Sequence, residues 1–79
     1  MAYLESLSAL DPLDRGRPHS VSDATWRVAT REGLRVLQID TYGSPERKDK
    51  GTVSQSIQLD ATKAAELVAI CRSVFPEIG

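Results

Sequence analysis

From Thr25 onward the side chains alternate in the way an extended strand requires. Trp26, Val28 and Thr30 fall on one side and Arg27, Ala29 and Arg31 on the other. Glu32-Gly33 then interrupts the pattern as a tight turn, glycine being the residue that takes positive φ without steric cost. A second strand is predicted from Leu34 to Tyr42, and its pattern differs: Leu34 and Val36 occupy one parity, Leu37 and Ile39 the other. A strand apolar on both parities is covered on both faces or bulged. Residues 43–51, GSPERKDKG, are too long and too polar for a tight hairpin and read as a projecting finger. The third strand runs from Val53 to Leu59, with Val53, Gln55, Ile57 and Leu59 inward and Ser54, Ser56 and Gln58 on a solvated, hydrogen-bonding face.

The period then changes from two to 3.6. Asp60 suits an N-cap, and Ala64, Leu67, Val68, Cys71 and Val74 recur every three or four residues, predicting one amphipathic helix over Ala61 to Val74 that stops at Phe75-Pro76. The expected fold is therefore α+β: an antiparallel sheet of three to four strands followed by one C-terminal helix packed on it. Residues 24–79 form this β-β-β-α domain and residues 1–23 a flexible N-terminal arm. Tyr3, Leu4, Leu7 and Leu10 suit one short amphipathic turn that Asp11-Pro12 stops; Asp, Arg, Ser, Pro and Gly dominate from there to Asp23. One helix covers one face of the sheet. The second apolar face of the Leu34–Tyr42 strand then needs a subunit or a ligand, and a homodimer is expected.

Length strengthens that expectation. With 79 residues the chain buries a modest fraction of its surface, and small domains of this kind gain stability from a disulfide, a metal or a second subunit. Cys71 is the only cysteine, so no internal disulfide forms, and its place in the apolar helical pattern reads as a buried, inert thiol in a reducing cytoplasmic setting. His19 is the only histidine, so no metal site is expected. No run of about eighteen apolar residues is present to span a bilayer, and no basic region followed by an apolar stretch suggests a secretion signal.

The charge and the catalytic inventory narrow the function. Net charge is −1, but the sheet region 24–52 carries six cations against four acids. No serine has a histidine partner outside the arm, and no glycine-rich phosphate loop occurs, so neither catalysis nor a cofactor is expected. Three features can carry binding. Arg27 and Arg31 share a strand face, and Arg35 opens the next strand close to Arg31 across the turn; the bland reading is an edge protected by charge. Arg47, Lys48 and Lys50 stand on the finger among Glu46 and Asp49, where a solvated loop is the bland reading. Trp26 and Tyr42 could stack bases, although Trp26 suits the core of a small domain.

The run LQIDTYGS, a charged loop, KGTVSQSIQLD and a helix closing in FPEI resembles the positive-cofactor-four family of transcriptional coactivators over about Trp26 to Ile78. The elements that carry the likeness are Lys50-Gly51, Ser54 to Leu59, Asp60 to Val74 and Pro76-Glu77-Ile78. The chain is also similar to short actinobacterial and phage proteins with nearly the same QIDTYGS and SQSIQLD segments. The coactivator resemblance implies a curved antiparallel sheet, normally of four strands, with dimerisation through the helices and single-stranded DNA bound across the sheets. A fourth strand would have to come from Ser20 to Asp23. Carried over by position, the nucleic-acid contacts are Arg27, Arg31, Arg35, Arg47, Lys48 and Lys50. The function expected on this basis is a homodimeric single-stranded nucleic-acid-binding module, DNA ahead of RNA, in a regulator of transcription or of a phage–host encounter. The alternative is a protein-interaction regulator, adaptor or inhibitor, that uses the sheet face or the N-terminal arm on a protein target.

Overall fold

The computed structural model describes residues 1–43 and 51–79. The chain is α+β, and among the described residues its sheet has four strands in the order β1-β4-β3-β2. These are β1 (Ala2–Tyr3), β2 (Ala24–Arg31), β3 (Leu34–Thr41) and β4 (Gln55–Leu59), followed by α1 (Ala61–Val74) and a 3₁₀ turn at Pro76–Ile78. The hairpin between β2 and β3 closes on Glu32 and Gly33, both at positive φ (50° and 79°), as a two-residue connection between right-twisted strands requires. Val53 and Ser54 fall outside β4, although the Ser54 amide still donates to the Thr41 carbonyl at 2.7 Å.

The fourth strand is a correction to the sequence reading. Ser20 to Asp23 form no strand; Ala2 and Tyr3 do, running parallel to β4 beside Ile57 and Gln58, so the sheet is mixed rather than antiparallel. The Leu4 amide prolongs the ladder, donating to the Gln58 carbonyl at 2.8 Å. The amphipathic turn expected over Tyr3 to Leu10 is absent, and Leu10 lies open to solvent. A pattern of four apolar residues is too short to separate a turn from an edge strand, and helix nucleation over so few residues is costly. The free edge of β4 offers backbone partners at once.

Register fixes the two faces of the sheet. Trp26 pairs with Ile39 and Ile39 with Ile57, while Val28 pairs with Leu37 and Leu37 with Leu59. These six side chains form an apolar face. The other face takes Thr25, Asp40 and Ser56 in one row and Arg27, Gln38 and Gln58 in the next. Val36 belongs to this second face, so β3 is apolar on both sides as its two parities predict. Val36 is nevertheless buried, at 4% exposure. The chain itself places groups on this face: Tyr3, in register with Gln58, stands there with the Arg31 guanidinium 4.0 Å from its ring centre. The expectation that the second face needs a subunit or ligand is therefore met in part by the N-terminal strand.

The helix does less than its pattern promises. Asp60 caps it, its Oδ1 accepting from the Lys63 amide at 2.8 Å while its carbonyl accepts from the Ala64 amide at 2.9 Å. Its first turn meets the sheet, Ala61 and Ala64 lining a shallow groove of about 230 Å³ with Val28, Leu37 and Leu59, and Leu67 further along the stripe is half-buried. No residue of α1 is buried, and Cys71, expected in a core, is half-buried. Trp26, expected in the core, is 73% exposed because it lies on edge strand β2, while the helix contacts β4, two strands away. No helix among the described residues is long and apolar enough to cross a membrane.

Candidate functional site

The polar face of the sheet assembles the side chains that can contact a ligand. Its middle is a hydrogen-bonded chain across two strands. The Gln58 amide donates to Gln38 Oε1 at 2.8 Å, and the Gln38 amide donates to both oxygens of Asp40, at 3.1 and 3.2 Å. Asp40 is buried at 3% exposure, and Ser56 beside it is also buried. The Ser56 hydroxyl, then the Gln38 amide and the nearby Arg27 charge, hold the Asp40 carboxyl below the ordinary carboxylate range, against the opposing push of burial. Ser56 is thus part of a closed network and not of the solvated surface that its alternation predicts. Every buried side-chain polar atom among the described residues has a hydrogen-bond partner, so the network is complete.

Two arginines frame this network. Arg27 sits in the row of Gln38 and Gln58, and Arg31 lies four residues further along β2, about 13 Å at the rise of a strand. Beyond Asp40, at the opposite end of the face, the Thr25 and Tyr42 hydroxyls lie 2.7 Å apart and the Tyr42 amide donates to Ser22 Oγ at 3.2 Å. Tyr42 is half-buried there. Among the described residues the ion pair within 4 Å is Lys63–Glu66, on the helix at 3.6 Å, so neither arginine has a carboxylate that close among those residues.

Arg35 does not join them. It was expected close to Arg31 across the turn, but the two-residue hairpin pairs Arg31 with Leu34 and Thr30 with Arg35. Arg35 therefore takes the opposite parity and lines the groove of Val28, Leu37 and Leu59 on the apolar face. A one-residue step moves every side chain to the other side of a sheet. The three further cations expected at the site, Arg47, Lys48 and Lys50, lie outside the described residues. Among the described residues no three His, Cys, Asp or Glu side chains gather as a metal site would need.

The chain matches no protein-family model, no curated protein and no solved structure. The likeness to the positive-cofactor-four coactivators rests on the residue pattern alone.

Sequence reasoning missed Tyr3 and Asp60 as a pair that ties this face to the helix. The Tyr3 hydroxyl donates to Asp60 Oδ2 at 3.4 Å, so the residue that caps α1 also anchors strand β1. The Lys63 amide, with the Lys63 charge, the Tyr3 hydroxyl and the Thr62 amide, holds the Asp60 carboxyl below its ordinary range, against burial. A carboxyl lowered on folding stabilises the native state above its unfolded value near 3.9, and that contribution is lost as pH falls through the lower folded value. Asparagine is an equally good N-cap with no proton to gain. Thermal melts of Asp60→Asn between about pH 6 and pH 2 should therefore show a shallower acid loss than the native chain; parallel profiles would assign the acid sensitivity elsewhere.

Proposed function

We propose that the chain is a homodimeric, non-catalytic module that binds single-stranded nucleic acid across the polar face of its sheet. The observation that supports this most directly is the row of Arg27 and Arg31 on one face, neither in an ion pair within 4 Å among the described residues and both set over a network of amide, hydroxyl and carboxylate groups. Guanidinium groups in such a row attract phosphates through charge-assisted, forked hydrogen bonds. The Gln38–Gln58–Asp40 network holds the surface beneath them in one shape, which limits the ordering cost when a flexible strand lies down on it. Tyr42 adds aromatic surface at one end. The resemblance to the single-stranded-DNA-binding coactivators points in the same direction, toward a regulator of transcription.

Fluorescence-anisotropy titration of labelled single- and double-stranded oligonucleotides at two salt concentrations tests the reading. The expected result is a preference for single strands, with affinity falling steeply as salt rises, because binding through phosphates releases counterions. No binding to either form at low salt would end it.

A protein target is the second reading, and one observation favours it: Leu10, Leu13 and Val21 are large apolar side chains left open to solvent in a segment without helix or strand. Removing residues 1–23 cannot separate the two readings, since it also strips strand β1 from the sheet. Serine at Leu10, Leu13 and Val21 in the full chain does so: nucleic-acid binding by the sheet survives, and protein binding by the arm is lost.

A further inference from the structure

We infer that the outer edge of β2 is a docking site for an extended peptide segment, acidic on one face and aliphatic on the other, which adds to the sheet antiparallel to β2. The inference goes beyond the nucleic-acid reading and does not rest on it.

The two edges of the sheet are unlike. One ends in β1, a strand of two residues. The other is β2, eight residues long, without proline, and paired to β3 in an unbroken register from Ala24 to Arg31. Glu32 and Gly33, both at positive φ, make a two-residue turn, and in such a hairpin the flanking pair, here Arg31 and Leu34, exchanges hydrogen bonds. Alternation then directs the backbone groups of Arg31, Ala29, Arg27 and Thr25 to β3. Those of Thr30, Val28, Trp26 and Ala24 point to the outer edge, where they have no hydrogen-bond partner among the described residues. A long edge of this kind is a template for another strand.

The side chains along that edge select the occupant. Trp26 and Val28 are exposed on the apolar side, and Arg27 and Arg31 stand on the polar side with the small Ala29 between them. A second copy fits poorly. Two-fold pairing of β2 with its own copy gathers four arginines on one face of two adjacent strands, and β2 has no carboxylate to separate them. A nucleic-acid strand fits poorly as well, because its phosphates can accept from the outer amides but give the outer carbonyls no row of donors. A peptide supplies donors and acceptors together. Acids four positions apart in it stand opposite Arg27 and Arg31, which are about 13 Å apart along the strand. Its residues of the other parity then lie opposite Trp26, Val28 and Thr30 on the apolar side. The arginines that repel a second copy thus attract an acidic strand.

The probe is a capped peptide of eight residues with Glu at its second and sixth positions, Val at its third, fifth and seventh, and Thr elsewhere. Titrated into the isotope-labelled full chain, it is read by amide hydrogen exchange. In the free chain Arg27 and Ala29 should be protected, while Trp26, Val28 and Thr30 exchange fast. Saturating peptide should slow the fast set at least about tenfold. Methylating the peptide's fifth backbone nitrogen, the donor opposite Val28, should abolish binding, and changing both Glu to Lys should weaken it at least about tenfold. Val28→Pro deletes the central outer amide without touching the β3 ladder, so it should lose the peptide and keep a native circular dichroism spectrum. A fast set unmoved by the peptide would overturn the proposal, as would equal binding of the methylated form. Protection of that set by raising the concentration of the chain alone would install a second copy at the edge and overturn it too. A single-stranded oligonucleotide that slows these amides where the peptide does not would do the same. If Val28→Pro fails to fold, exchange in the native chain decides alone.

Discussion

Leu59→Ala should remove about 2–3 kcal/mol of stability, the largest loss expected from any single truncation in this chain. Among the described residues Leu59 is the most buried side chain, at 1% exposure, and Val36 is the other buried apolar residue. Leu59 is paired laterally with Leu37 and lines one groove with Val28, Ala61 and Ala64, so it joins the sheet to the first turn of α1. Leucine-to-alanine changes in cores cost about 2–5 kcal/mol, the larger values arising where surroundings cannot collapse into the space. The groove beside Leu59 is open, which favours the lower half of that range. A domain of this length has about 4–12 kcal/mol in all, so even the lower value is a large share. Urea denaturation at fixed protein concentration checks it: the midpoint falls while the slope is unchanged. A midpoint shift worth under about 1 kcal/mol would show that the effective core lies elsewhere, for instance between subunits.

The second large effect is expected on binding. Arg27→Ala with Arg31→Ala should lower affinity for single-stranded oligonucleotides at least about tenfold at low salt, with little dependence on base sequence. The slope of affinity against salt should shrink by about 1.4 on logarithmic axes, because each phosphate contact to a single strand contributes about 0.7. Arg35→Ala is the internal control. It removes the same charge from the same hairpin but from the opposite face, and binding should change less than about twofold at low salt. An equal loss from Arg35→Ala would move the contact surface to the apolar side. Arg31→Lys separates charge from stacking, since lysine keeps the field but not the planar group over Tyr3.

The local elements of this chain were readable because each rests on short-range physics. The helix bounds of Ala61 and Val74 follow from a cap, a 3.6-residue period and a proline stop, and the structure places α1 there. The hairpin at Glu32-Gly33 follows from turn chemistry between two alternating runs, and both residues adopt positive φ. The two parities of β3 announced a strand with apolar side chains on both faces, and Val36 and Leu37 stand on opposite sides as they require.

The candidate site was only half legible. Arg27 and Arg31 share a face because their even spacing along one strand requires it. Whether Arg35 joins them depends on which residues pair across the turn, and parity within one strand says nothing about that. Tyr3 had no sequence signal as a site residue. Its role depends on a parallel pairing with β4 more than fifty positions away, and two-residue strands have no period to detect.

Sequence alone thus determined where the hairpin strands β2 and β3, the core of β4, the turn and the helix lie, and which residues of each share a side, because torsional preference and alternation are local. Tertiary structure decided three matters: that the N-terminal residues close the sheet edge, that Asp40 and Ser56 are buried in a shared network, and that Trp26 stays exposed while the helix stripe is only half-covered. Those depend on long-range pairing and on the direction in which α1 leaves β4, and no pattern within a single element encodes either.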